Sequence, residues 1–156
     1  MGTEIERKFL VDRAIWKPAE EGTLTRQGYL SSLKERIVRV RIAGPRAYLT
    51  IKGLTDDALV RLEFEYPLPL DDAGQLLDRI CEKPQVEKTR YKETIGAHIW
   101  EIDVFHGDND GLVVAEIELS DPKESFERPA WLGIEVSDDP RYLNANLTRA
   151  PFKSWV

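Results

Sequence analysis

The sequence predicts a mainly β (α+β) domain: about eight short antiparallel strands in a sheet that is closed or nearly closed, with a few short helices packed on its outer face. Three observations carry this. Apolar and charged residues alternate with a period of two along most of the chain, the side-chain period of a strand with two unlike faces. Short joints rich in Gly, Asn and Asp separate the alternating runs, so sequence neighbours pair as hairpins. Helical stripes are confined to one central segment and short stretches near the end.

The first run, Glu4-Ile5-Glu6-Arg7-Lys8-Phe9, sets Ile5, Arg7 and Phe9 against Glu4, Glu6 and Lys8. Leu24 to Leu33 reads as a second strand, interrupted at Gly28. Residues 36–42 alternate again, with Val38, Val40 and Ile42 opposite Arg39 and Arg41. Gly44-Pro45 turns the chain into Tyr48–Lys52, where Leu49 and Ile51 oppose Thr50 and Lys52. After residues 53–57, the run Leu59–Leu68 sets Leu62, Phe64 and Tyr66 against Arg61, Glu63 and Glu65. A helix follows, capped by Asp71 or Asp72, striped by Leu76, Leu77 and Ile80, and ended at Lys83-Pro84. Val86–Lys92, Ile99–Phe105 and Leu112–Leu119 complete the strands, joined at Ile95-Gly96 and through the turn residues 107–111. Asp121-Pro122 and Asp139-Pro140 each have the form of an N-cap and first residue of a short helix, the second reaching Pro151.

The 156 residues fit one domain, 1–156, and 42% hydrophobic with 32% charged is a globular composition. A net charge of −6 disfavours nucleic-acid and anionic-membrane partners. One cysteine, Cys81, and two histidines, His98 and His106, exclude a disulfide framework and a zinc site of thiolates or imidazoles. No apolar stretch approaches the ~20 residues of a membrane helix, and the alternation starts too early for a signal peptide, so a cytoplasmic protein is expected.

The charged face is segregated by sign. Glu4/Glu6, Arg39/Arg41, Glu63/Glu65, Lys88/Arg90, Glu101/Asp103 and Glu116/Glu118 are like-sign pairs at spacing two. Such neighbours lie only ~7 Å apart on one face of a strand and repel. A sheet with a solvated face also alternates, but with mixed signs and hydroxyls. Paired like charges require opposite charges from facing strands, bound cations or a bound polyanion. Seven cations inside a closed sheet suit several phosphates, while the carboxylates suit hard divalent ions that bridge to them.

Glu4-Ile5-Glu6-Arg7-Lys8 matches the Glu-x-Glu-x-Lys signature of the CYTH proteins, or triphosphate tunnel metalloenzymes. The resemblance continues through Arg39-Val40-Arg41, Thr50-Ile51-Lys52, Arg61 to Glu65, Glu87 to Tyr91, Glu101-Ile102-Asp103 and Glu116-Ile117-Glu118. Arg26-Gln27-Gly28-Tyr29-Leu30 and the stretch from Gly133 to Leu147 resemble the short stand-alone bacterial members. It implies an eight-stranded antiparallel barrel open as a tunnel, Mg²⁺ or Mn²⁺ as cofactor, and a small-molecule triphosphate as partner. A homodimer stays open. By the same resemblance Lys8, Arg39, Arg41, Lys52, Arg61, Lys88 and Arg90 bind the triphosphate, and Glu4, Glu6, Glu101, Glu116 and Glu118 serve metal. Lys8, Lys88, Glu63, Glu65 and Asp103 form the catalytic set. The implied reaction is metal-dependent hydrolysis of a linear triphosphate, foremost tripolyphosphate to diphosphate and phosphate. A class IV-type adenylate cyclase, a thiamine triphosphatase and a non-catalytic polyphosphate- or nucleotide-binding module are the alternatives.

Overall fold

The computed structural model describes residues 2–155. Its strands are β1 (Gly2–Val11), β2 (Thr23–Leu33), β3 (Arg36–Ala43), β4 (Arg46–Leu54), β5 (Val60–Leu68), β6 (Val86–Ile95), β7 (His98–Phe105), β8 (Val113–Glu118) and β9 (Leu132–Glu135). Helix α1 (Leu70–Arg79) follows β5, and α2 (Asn144–Arg149) lies near the C-terminus. The order β5-β4-β3-β2-β6-β7-β8-β1 is closed by pairing of β1 with β5. Closure depends on the length of β1. Its first residues, Gly2 to Ile5, pair with β5, while Glu6 to Leu10 pair with β8, so one strand has partners on both sides. Closing the sheet removes the free edges that an open antiparallel sheet would expose. The ninth strand is short and pairs with β1 at Phe9 and Val11. Gly133 makes that pairing possible, because a Cβ there would lie 2.9 Å from the Leu10 carbonyl oxygen.

Apolar side chains line the outside of the barrel wall and charged ones the inside. Phe9, Trp100, Ile102, Ala115 and Ile117 form an outer core covered by residues 120–135. Trp100 is fully buried there, edge-on to Phe9, Phe126 and Trp131 with ring centroids 5.5–5.7 Å apart. Such contacts add to the large area that these rings bury. The spread tryptophans therefore serve packing. A second outer core joins Val40 and Ala47 of the sheet to Ala73 and Leu77 of α1. Beneath α1, β2 runs without interruption through Gly28, where a Cβ would come within 3.0 Å of the Leu77 and Gln85 side chains. The glycine allows that close approach; the break comes later, as a bulge between Tyr29 and Ser31.

Three local expectations are corrected. Neither Asp71 nor Asp72 caps α1: Pro69 stands at the cap without a side-chain bond, and the two acids occupy the first turn, where they complement the helix dipole. Asp121-Pro122 forms a turn, in which Asp121 accepts from the Lys123 amide, with no helix beyond it. Asp139-Pro140 starts a single 3-10 turn, Pro140–Tyr142, before the chain extends at Leu143 and re-enters helix as α2. The helix α1 packs outside, as the amphipathic stripe requires. The C-terminal segment instead stoppers one end of the barrel: Tyr142 and Leu147 pack on Val86, Phe105 and Val114. Among the described residues no helix is long and apolar enough to cross a membrane.

Candidate functional site

Antiparallel register brings the like-sign pairs opposite unlike ones. Lys8 faces Glu116, Lys52 faces Glu63, Arg61 faces Glu4, and Arg90 faces Asp103. The result is a polar cavity of about 220 Å³ enclosed by the strands. Every predicted site residue lines it except Asp103. Asp103 is fully buried on the inner face beneath these cations, bonded to Lys88 Nζ at 2.8 Å and to Arg90 Nε at 2.7 Å. Its carboxylate holds those cations in place, kept ionised by Arg90 and Lys88 in spite of burial. At one end the cavity continues into a vestibule of about 570 Å³ past Arg41, Glu65, Arg90 and Glu101, walled by Trp16, Tyr48 and Tyr91. At the other, a recess of about 50 Å³ reaches Glu6, Lys8 and Arg61 beneath Leu59 and Ser137.

The cations differ in how far they are already engaged. Lys52 Nζ lies 2.8 Å from Glu4, and Arg61 lies 3.3 Å from the same carboxylate. Lys8 Nζ donates to the Tyr142 carbonyl, 2.9 Å away, tying the tunnel to the C-terminal stopper. Lys88 also donates to Asn144 Oδ1 at 3.3 Å; burial pulls its pKa down to about 8 against the pull of Asp103. Arg39 and Arg41 are the least satisfied. Their Nε atoms are buried without a hydrogen-bond partner, and Glu65 stands 3.7–3.8 Å from both. Burial, then the neighbouring Arg39 and Arg90, lower Arg41 to about 10. Two crowded forks with unused donors could bind an anion, since guanidinium geometry favours bidentate bonding to phosphoryl oxygens.

The carboxylates are crowded in the complementary sense. Glu6 faces Glu118, and Glu101 faces Glu116, directly across the ladder. Like charges so placed are destabilising unless something cationic lies between them. Burial, then the charges of Glu116 and Glu4, raise the pKa of Glu6 well above the ordinary carboxylate range. Burial would raise Glu116 as well, but Lys8 and a hydrogen bond from Glu6 hold it well below. Burial works on Glu4 in the same way, and Lys52 and its neighbours overcome it, so that group stays low too. The hydrogen bond that the Glu63 carboxyl donates to Glu4, followed by burial, lifts Glu63 to about 7. The Oε1 atom of Glu116 is buried with no hydrogen-bond partner. Among the described residues no three acidic, His or Cys side chains converge to hold a metal by themselves. A donor set of paired carboxylates with an unused oxygen suits Mg²⁺ or Mn²⁺, which take oxygen ligands; Mg²⁺ usually binds through one or two carboxylates, water and phosphate oxygens. Glu6, Glu116 and Glu118 are the residues placed to hold it, with Glu4 and Glu101 beside them.

The raised groups give a stability signature. A carboxyl whose folded pKa lies above its unfolded value binds more protons in the folded state. The metal-free protein therefore loses stability as pH rises from the ordinary 4.5 through about 7. Its melting temperature should fall between about pH 5 and pH 7, and Glu63→Gln should flatten that slope. An identical slope in the variant would contradict the shared proton of Glu4 and Glu63.

Tyr29, Ile37, Leu143, Asn144 and Ala145 also line the cavity and were not in the predicted set. Leu143 to Ala145 reach it only because the C-terminal segment folds into the barrel end. Tyr29 carried a legible signal, since it stands two residues from Gln27 on the polar side of an alternating strand and within the Arg26–Leu30 stretch of the family resemblance.

The closed barrel thus sets unused guanidinium donors beside crowded carboxylates in one cavity. The chain belongs to the CYTH domain family, whose model matches residues 2–149. It is 48% identical over 155 residues to an inorganic triphosphatase of Acetivibrio thermocellus, covering 99% of each chain. An inorganic triphosphatase of Nitrosomonas europaea is 36% identical over 150 residues, covering 93% of this chain and 96% of that one. The crystal structure of the inorganic triphosphatase NE1496 aligns with a TM-score of 0.65 at 32% identity, over 92% of this chain and 96% of its own.

Proposed function

We propose that the protein hydrolyses inorganic tripolyphosphate to diphosphate and phosphate with a divalent metal. The observation that carries the reading is the pairing, in one cavity, of the partnerless buried Nε atoms of Arg39 and Arg41 with the crowded carboxylates of β1 and β8. The two inorganic triphosphatases related over nearly the whole chain support it. A sensor that only captures anions gains nothing from carboxylates packed against one another.

In this mechanism Arg39 and Arg41 grip the phosphates, with Lys8, Lys52 and Arg61 along the same wall. Lys88 and Arg90, fixed by Asp103, face the spreading negative charge of the transferring phosphoryl group. Glu4, Glu6, Glu101, Glu116 and Glu118 would hold a divalent metal, which would supply positive charge to the phosphate oxygens and lower the proton affinity of water. Attack by water forms a new O–P bond at the terminal phosphorus as the bridging P–O bond breaks. Glu63, with a proton affinity matched to neutral pH, takes the proton that the water loses. Glu65 steadies the clamp through Thr50, whose hydroxyl donates to Glu65 at 2.8 Å and accepts from Arg39 at 3.1 Å.

The deciding assay measures phosphate and cyclic AMP from tripolyphosphate, ATP and thiamine triphosphate, with Mg²⁺ or Mn²⁺ and with chelator. Metal-dependent phosphate release, fastest from tripolyphosphate, is the expected result. Cyclic AMP as the main product, or binding without turnover, would overturn the proposal.

A further inference from the structure

Gln27 is an anomaly in this barrel. It lies on the inner side of β2, fully buried, between Thr25 and Tyr29, with Arg41 beside it in the ladder. It does not border the cavity, and its Oε1 is buried without a hydrogen-bond partner. A buried amide with an unmet acceptor is costly, and an apolar side chain of similar size would avoid that cost. The one bond its side chain makes among the described residues runs from Nε2 to the hydroxyl oxygen of Tyr29, at 3.1 Å.

That bond has a direction. Tyr29 is buried, its ring held by Ile37 and Ala145, and burial pushes the phenol up, so the O–H is intact at neutral pH. With the oxygen accepting from Gln27, the proton points elsewhere; Tyr29 borders the cavity, where Glu116 is the acid whose charge also reaches the phenol. Arg39, its ladder partner, is a donor and offers it no acceptor. An oxygen of a bound phosphate does. A chain from amide N–H to hydroxyl O–H to phosphate oxygen satisfies each group in turn, and every link polarises the next. The reverse arrangement, with the amide oxygen accepting, would consume the proton and present lone pairs to the anion.

We propose that Gln27 is a positioning residue, whose buried amide fixes the Tyr29 hydroxyl as a hydrogen-bond donor to a phosphate oxygen of the bound substrate. The role rests on the triphosphate reading of the cavity.

The test is a double-mutant cycle on Gln27→Met, Tyr29→Phe and the pair, with Gln27→Glu as a fourth variant. Methionine keeps the volume and removes the donor; glutamate keeps the shape and replaces the donor with an acceptor. On tripolyphosphate with Mg²⁺, Gln27→Met should lower kcat/KM about tenfold, the scale of one hydrogen bond to a charged group. In the Tyr29→Phe background the same change should have no further effect beyond about twofold. Gln27→Glu should lose more than Gln27→Met, and the gap should widen as pH rises. Melting curves of all four variants separate this from misfolding, because a packing role would multiply with the Tyr29→Phe loss and follow the melting temperature. Multiplying losses, or an unchanged Gln27→Met enzyme, would overturn the assignment. Failure of the wild type to hydrolyse tripolyphosphate would instead count against the function reading. In that case the same cycle, read as tripolyphosphate affinity of the metal-free protein by calorimetry, still decides the role of Gln27.

Discussion

Arg39→Ala should lower kcat/KM for tripolyphosphate by roughly 10- to 100-fold, mainly through a higher KM, the loss expected when a charge-assisted bond to phosphate worth about 1.5–3 kcal/mol is removed. The size follows from how little of this guanidinium the protein itself uses. One terminal nitrogen donates to Thr50 Oγ1, Glu65 stands 3.8 Å away, and Nε is buried with no partner. The charge is therefore held for something absent from the resting contacts of the chain. Arg39→Lys should recover only part of the loss, because an ammonium restores the charge but not the fork. Steady-state kinetics on both variants, with melting curves as a control, measure this. Less than a threefold loss in Arg39→Ala would remove the residue from the clamp. Stability should change little or rise, since the substitution relieves repulsion with Arg41, whose pKa burial and then the Arg39 charge lower to about 10.

The second large effect is expected at Glu6. Glu6→Gln should reduce metal-dependent hydrolysis by at least roughly 100-fold, on the scale of lost transition-state charge stabilisation. The same variant should leave the metal-free melting temperature unchanged or higher near neutral pH. In the metal-free protein burial, then the charges of Glu116 and Glu4, push the Glu6 carboxyl up toward its neutral form. A glutamine supplies the same donor without the repulsion. A residue kept only for stability would behave in the opposite way, with a lower melting temperature and activity lost in step. The increase in melting temperature on adding Mn²⁺ or Mg²⁺ should shrink in the variant, because a ligand that binds only the folded state stabilises it by mass action. A full metal-induced shift in Glu6→Gln would take Glu6 out of the metal set.

The net charge of −6 looks unfavourable for a substrate that is itself highly anionic. The tunnel resolves this locally. Seven cations face it, and the carboxylates are not all fully charged, since Glu6 is pushed up by burial and by its acidic neighbours and Glu63 is lifted to about 7. A bound divalent ion would replace those protons with a larger positive charge, so metal affinity should rise with pH.

Much of this was legible in the residues. Alternation placed Glu4, Glu6 and Lys8 on the face opposite Ile5 and Phe9, and the structure keeps them apart in that way: the first set lines the cavity, and the second packs outside. The six like-sign pairs announced the need for facing partners. What was not legible was the identity of those partners, because a period of two assigns sides without assigning register. Glu116 neutralises Lys8 across more than a hundred residues of chain, and no local pattern links them. Asp103 shows the same limit, since its alternation matches that of Glu101, yet Lys88 and Arg90 enclose it while Glu101 stays on the cavity.

The sequence by itself determined which side chains share a face, where the chain turns, and that charge of both signs had to be gathered somewhere. These are consequences of strand geometry, in which neighbouring side chains must point apart. Only the tertiary structure decided that the charged face is enclosed, that the C-terminal segment stoppers one end, and that Gln27 lies behind Tyr29. Closure depends on β1 reaching both β5 and β8, and the stopper depends on apolar residues 140–155 meeting the inner ends of β6 to β8. Both are contacts between distant parts of the chain, set by burial and register together, which residue order alone does not contain.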